Sequence, residues 1–133
     1  MNLNLDLNQQ FELKFKVTES LYLGFIENFK DKNPLHTNDS FAISKGFKSK
    51  VMHGNILNGF LSYFVGETLP SKNVIIHSQE IQFKNPVFLN DSLDFKAEVS
   101  GIYESVKAIE FKFKFLNSNL KVVAKGKIQI GEI

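Results

Sequence analysis

Asp31 and His36 lie five residues apart in the run Asp31-Lys32-Asn33-Pro34-Leu35-His36, the densest polar cluster of the chain. A carboxylate and an imidazole can together hold one water molecule, take its proton and return a proton to carbon. Pro34 removes backbone freedom and makes the separation of the two side chains reproducible. Alone, a D-x-x-x-x-H spacing is weak, and a capping Asp beside a surface His is the commoner meaning. A second cluster, His53-Gly54-Asn55, stands just before an apolar run. The first amides of a helix have no internal partners and lie at the positive end of its dipole. A glycine there lets a carbonyl oxygen approach the backbone, which outlines an oxyanion hole. An ordinary helix-entry turn is the plainer alternative. Ser62 follows Gly54 by two and a quarter helical turns and could face the same space, although a buried serine more often bonds back to its own helix. His53, a single histidine beside an apolar helix, is expected to be packed, and His77 receives no role. Histidines 36, 53 and 77 are never three or four residues apart, so their spacing gives no metal site.

The totals narrow the classes. The 133 residues suit one domain, 1–133, and hydrophobic and charged shares of 43% and 23% exclude a disordered or membrane-embedded chain. Sixteen basic against 14 acidic residues give +2, with no basic block, which argues against a nucleic-acid partner. The absence of cysteine removes thiolate nucleophiles and disulfides. Neither a signal-like N-terminus nor a membrane-length apolar run is present, so a cytoplasmic protein without a membrane partner is expected. Fourteen Phe make a large core that can also line an apolar cavity.

The elements that must position the two clusters follow from periodicity. Residues 11–17 alternate as a half-buried strand, and Thr18 can cap a helix over 19–30 with Tyr22, Phe25, Ile26 and Phe29 on one face. Asn33-Pro34 closes that helix and leaves Asp31 to His36 in a fixed loop. Asn38 or Asp39 can cap a short helix ending near Gly46. After Gly54, residues 55–65 are apolar nearly all round, as in a helix buried on most sides. The remainder is strand: a region at 75–88 with an edge or bulge at Pro86, then alternating runs near 93–99, 109–115 and 122–130 around a turn at 117–119. A one-sided antiparallel sheet needs a cover, and the central helix supplies it. The α+β class is therefore a hot dog, a curved antiparallel sheet wrapped around one buried helix. Its long C-terminal strands imply an edge that must be covered, hence a homodimer joined edge to edge.

The motifs also resemble a known family. Asp31-x-Asn33-Pro34-x-His36, then Gly46-Phe47, then His53-Gly54 opening an apolar helix, are similar to the MaoC-like acyl dehydratases, closest to the (R)-specific enoyl-CoA hydratases. Phe83-x-x-Pro86-Val87-x-x-x-Asp91 resembles a strand motif of the same family. The resemblance implies a hot dog fold, a homodimer and catalysis by Asp31 and His36. It further implies a thioester carbonyl on the Gly54 amide, with Ser62 and Asn33 on the substrate-binding side. Phe29-Lys30 stand where the family usually has Ser-Gly, and Met52 and Asn55 flank His53-Gly54 where it usually has a small residue and Met.

Taken together, these features predict a lyase: reversible hydration of a trans-2-enoyl thioester to an (R)-3-hydroxyacyl thioester, carried on coenzyme A or acyl carrier protein. Neither a metal nor a redox cofactor is required. The alternatives are an acyl thioesterase of the same fold and a non-catalytic acyl-binding or scaffolding domain. The strictest expectation is geometric. Asp31, His36 and the Gly54 N–H should converge on one cavity, continued as a tunnel between Phe side chains.

Overall fold

The computed structural model describes residues 1–133. The chain runs β1 (Gln10–Lys16), α1 (Glu19–Phe29), α2 (Pro34–Thr37), α3 (Asp39–Ser44), α4 (Asn55–Tyr63), β2 (Val74–Phe83), β3 (Ser92–Tyr103), β4 (Ala108–Leu116) and β5 (Val122–Glu132). The five strands form one antiparallel sheet in the order β1-β3-β4-β5-β2. Their inward residues, among them Phe95, Val99, Phe111, Phe115, Ile128 and Ile130, meet Ile56, Leu57, Phe60, Leu61 and Phe64 in one core. No helix is long and apolar enough to cross a membrane.

Local chemistry explains the boundaries. Thr18 Oγ1 accepts the Leu21 N–H and starts α1. The helix ends on Lys30, which adopts left-handed backbone at φ 63° and donates its N–H to the Ile26 carbonyl. The turn that a glycine would favour is thus kept by a lysine. Lys30→Gly is expected to raise stability by about 0.5–1 kcal/mol, because relief of left-handed strain exceeds the added unfolded-state entropy. Urea unfolding midpoints check this.

The fixed loop expected between Asp31 and His36 is in part a helix. Asn33 Oδ1 accepts the Leu35 N–H and Pro34 occupies the first helical position of α2. An N-cap Asn followed by Pro starts a helix as readily as it stops one. Asn38 caps α3 through the Phe41 N–H, and Gly46 follows with φ 96°.

Two other expectations change, while the helix after Gly54 buries Ile56, Leu57, Phe60, Leu61, Phe64 and Val65 as expected and leaves Asn55, Gly59, Ser62 and Tyr63 as an exposed strip. β5, the last long strand, lies between β4 and β2 and is not an edge. The edges are β1 and β2. β2 is the exposed one, with Ile75, Ile76 and Phe83 open to solvent; its bulge falls at His77, between Ile76 and Ser78, and the strand ends before Pro86.

Candidate active site

A short extended strap, 51–53, brings the two clusters together. The Val51 N–H donates to the Leu35 carbonyl (2.9 Å), and the Val51 carbonyl lies 2.7 Å from His36 Nδ1. On the other side, the Met52 N–H donates to the Val87 carbonyl in the β2–β3 connection (2.8 Å). That connection is closed by Asp91, whose Oδ2 accepts the Phe88 N–H. The strap leads directly into Gly54 and α4.

His36 is fixed from every side. Its N–H donates to the Asn33 carbonyl, and its own carbonyl accepts the Tyr22 O–H (2.5 Å) from the buried face of α1. Because a carbonyl only accepts, Nδ1 must carry the proton toward Val51. In the neutral ring Nε2 is then a bare acceptor. It lies 3.9 Å from Asp31 Oδ2, with side-chain exposures of 17% for His36 and 48% for Asp31. This gap is too long for a direct hydrogen bond and suits one water donating to both acceptors. Asp31 Oδ1 accepts the Asn33 N–H (3.2 Å), which orients the carboxylate.

Gly54 is the N-cap of α4, with φ −57° and ψ −33°, a conformation open to any residue. A Cβ here would lie 2.8 Å from the Phe83 ring, so any side chain at this position would have to displace that half-exposed ring. The Gly54 N–H has no acceptor within the chain. Gly54 and His36 line the same groove of about 400 Å³. Asp31 lines a neighbouring groove of about 730 Å³ beside α1, and Asn55 borders both. A third groove of about 470 Å³, walled by Phe15, Phe60 and Tyr63, shares Leu21, Ile56 and Gly59 with the second.

The three predicted groups are therefore neighbours, but around open, linked grooves and not one closed tunnel. The Phe-rich interior is filled: Phe64, Phe95, Phe111 and Phe115 are fully buried, and ring centroids are 4.9 Å apart for Phe64–Phe95 and 5.0 Å for Phe95–Phe115. Ser62 lines none of the three grooves, although it stands on the same exposed strip of α4 as Asn55, Gly59 and Tyr63, which do. Asn33, exposed at the head of α2, has its Oδ1 engaged as the cap of that helix and lines none of the three grooves.

Two residues given no role by spacing turn out to build the site: Tyr22, which read only as part of an apolar face, and His53. Asp31, His36 and His53 each place a potential ligand atom within 4.8 Å of the others. The two imidazoles lie against each other at a tilt, with centroids 4.1 Å apart and planes at 31°, and each has one nitrogen bonded to a carbonyl.

Known proteins share this arrangement of chain. Residues 4–117 match the MaoC like domain. The (R)-specific enoyl-CoA hydratase of Aeromonas caviae is 31% identical over 101 residues, covering 76% of this chain and 75% of the relative. The 3-hydroxybutyryl-CoA dehydratase of Methylorubrum extorquens is 33% identical over 90 residues, 68% of this chain and 57% of the relative. Among solved structures, an (R)-hydratase from A. caviae superposes with a TM-score of 0.89 at 25% identity, over 98% of both chains. With the family matched across most of the sequence, and the sheet, covering helix and paired motifs in place, the chain belongs to the MaoC-like family and has its hot dog fold.

Proposed function

We propose that this chain, as one hot dog unit working in the cytoplasm, is a hydro-lyase. It adds water reversibly to a trans-2-enoyl thioester of coenzyme A or acyl carrier protein, giving the (R)-3-hydroxyacyl thioester. The observation that carries the reading is the pair of acceptors 3.9 Å apart, beside an unpartnered amide. A water that donates to both Asp31 Oδ2 and His36 Nε2 keeps its lone pairs for C3 of the substrate. The Gly54 N–H takes the thioester carbonyl and draws electrons from the double bond, so that C3 becomes electrophilic and C2 basic. His36 Nε2 accepts the proton that the water loses and returns it to C2, while the Asp31 carboxylate stabilises the imidazolium between these steps. One proton leaves the water and one reaches carbon, so the step balances without another reagent. The acyl chain runs along the linked grooves, past Asn55 and Gly59 toward Phe15, Phe60 and Tyr63.

Turnover of crotonyl-CoA and longer enoyl-CoAs tests the reading. Loss of the enoyl absorbance with formation of 3-hydroxyacyl-CoA is expected. Release of free coenzyme A without hydration would make the chain a thioesterase, and neither product would leave it non-catalytic.

A homodimer belongs to the same proposal. The β2 edge presents unpaired backbone with Ile75, Ile76 and Phe83 exposed, and Phe83 at its end also lines the groove that holds His36 and Gly54. Light scattering at micromolar concentration is expected to give twice the 15.2 kDa chain mass, and a monomer would count against the pairing.

A further inference from the structure

We infer that His53 is a positioning residue: one buried ring holds the main chain of Asp31 and the imidazole of His36 at their working separation. This rests on the hydration reading for its meaning, and on four observations for its support.

His53 is the one buried polar residue of the chain, 3% exposed. Its Nε2 lies 2.9 Å from the Asp31 carbonyl oxygen, so Nε2 carries the proton and donates. Its ring lies between Phe25, at 4.5 Å, and His36, at 4.1 Å between centroids. Its other nitrogen, Nδ1, is buried with no hydrogen-bond partner.

The last point separates a working residue from a filler. Leaving a buried nitrogen unpaired costs about 1–3 kcal/mol. With Phe25 and Tyr22 beside it, a phenylalanine would fill the site without that cost. What phenylalanine could not do is donate to the Asp31 carbonyl. That hydrogen bond joins residues 22 apart and sets Asp31 one residue from Gly54, the link that no local feature of the sequence provides. The tilted packing of the His53 ring against His36 then limits how that imidazole can turn, its Nδ1 already being fixed by Val51. Without the donor, the Asp31 main chain has one tie fewer, and the 3.9 Å gap to His36 widens or varies.

His53→Phe and His53→Gln test this, each assayed for kcat, KM, melting temperature and amide hydrogen exchange at Asn33. Phe keeps the aromatic volume and removes the donor; Gln restores an N–H at similar reach and removes the ring. In His53→Phe, kcat should fall by about 10–100-fold, as expected for a misplacement on the order of 1 Å. KM should change by less than about threefold, marking loss in the chemical step and not in uniform binding. The melting temperature should hold or rise, because the unpaired nitrogen is gone. The Asn33 amide, which donates to Asp31 Oδ1, should exchange faster. His53→Gln should recover much of kcat and slow Asn33 exchange again. Unchanged kcat in His53→Phe, or equal losses in the two variants, would overturn the inference. If the wild-type chain hydrates no enoyl thioester, the functional reading fails. Exchange at Asn33 still decides the positioning claim, which falls if His53→Phe leaves it unchanged.

Discussion

Asp31→Asn and His36→Ala are each expected to lower enoyl-thioester hydration by about 10²–10⁴-fold, the usual loss on removing one acid–base group. The asparagine variant is the cleaner one. Asp31 makes a single side-chain hydrogen bond within the chain, from the Asn33 N–H to Oδ1, and an amide oxygen can still accept it. The loop should therefore keep its course while the water loses a charged acceptor and gains a competing donor. His36→Ala removes Nε2 and also leaves the Val51 carbonyl without its ring donor, so a modest loss of stability should accompany the loss of rate. Turnover read beside circular dichroism separates the two effects. Near-wild-type turnover in either folded variant would remove that residue from the mechanism.

Gly54 should show an effect of about 10²–10³-fold on kcat when its N–H is deleted, the size seen for single oxyanion donors. Proline is the substitution that does this with least backbone change, because the native φ of −57° is already the value proline imposes. A Cβ at position 54 meets the Phe83 ring, so the comparison belongs in a Phe83→Ala background. There Gly54→Pro should lose activity and Gly54→Ala, which keeps the N–H, should retain most of it. Equal rates in the two would show that the amide does not hold the carbonyl.

Much of this architecture is legible in the sequence. The alternation of Phe111, Phe113 and Phe115 with Glu110, Lys112 and Lys114 marks β4 because a strand turns every second side chain outward. Thr18 and Asn38 mark helix starts because their oxygens replace missing backbone acceptors. The pairing of the D-x-N-P-x-H run with His53-Gly54 pointed to the two segments that the fold places side by side. What stayed hidden depends on register and tertiary contact. Tyr22 to His36, His36 to Val51 and His53 to Asp31 span 14, 15 and 22 residues, and no periodicity reports such bonds. That Asn55 and Gly59 line the grooves while Ser62 on the same strip does not is likewise beyond periodicity, because nothing in the sequence sets how a helix is rotated against its neighbours. The lysines form no continuous block along the chain, yet several gather in space. Cross-strand register sets Lys112 opposite Lys127 and Lys114 opposite both Lys96 and Lys125, on the outer face of the sheet.

The carbonyl of Val51 has one further consequence. By holding Nδ1 of His36, it leaves the ring a single port for protons. In the proposed reaction the proton taken from water enters and leaves through Nε2. Hydroxyl and hydrogen are then delivered from the same side of a flat substrate, and dehydration collects them from that side again. On the proposed reading, a main-chain oxygen fifteen residues from the imidazole, which never touches the substrate, thereby favours syn addition, while the hand at C3 is set by which face of the substrate lies against the water.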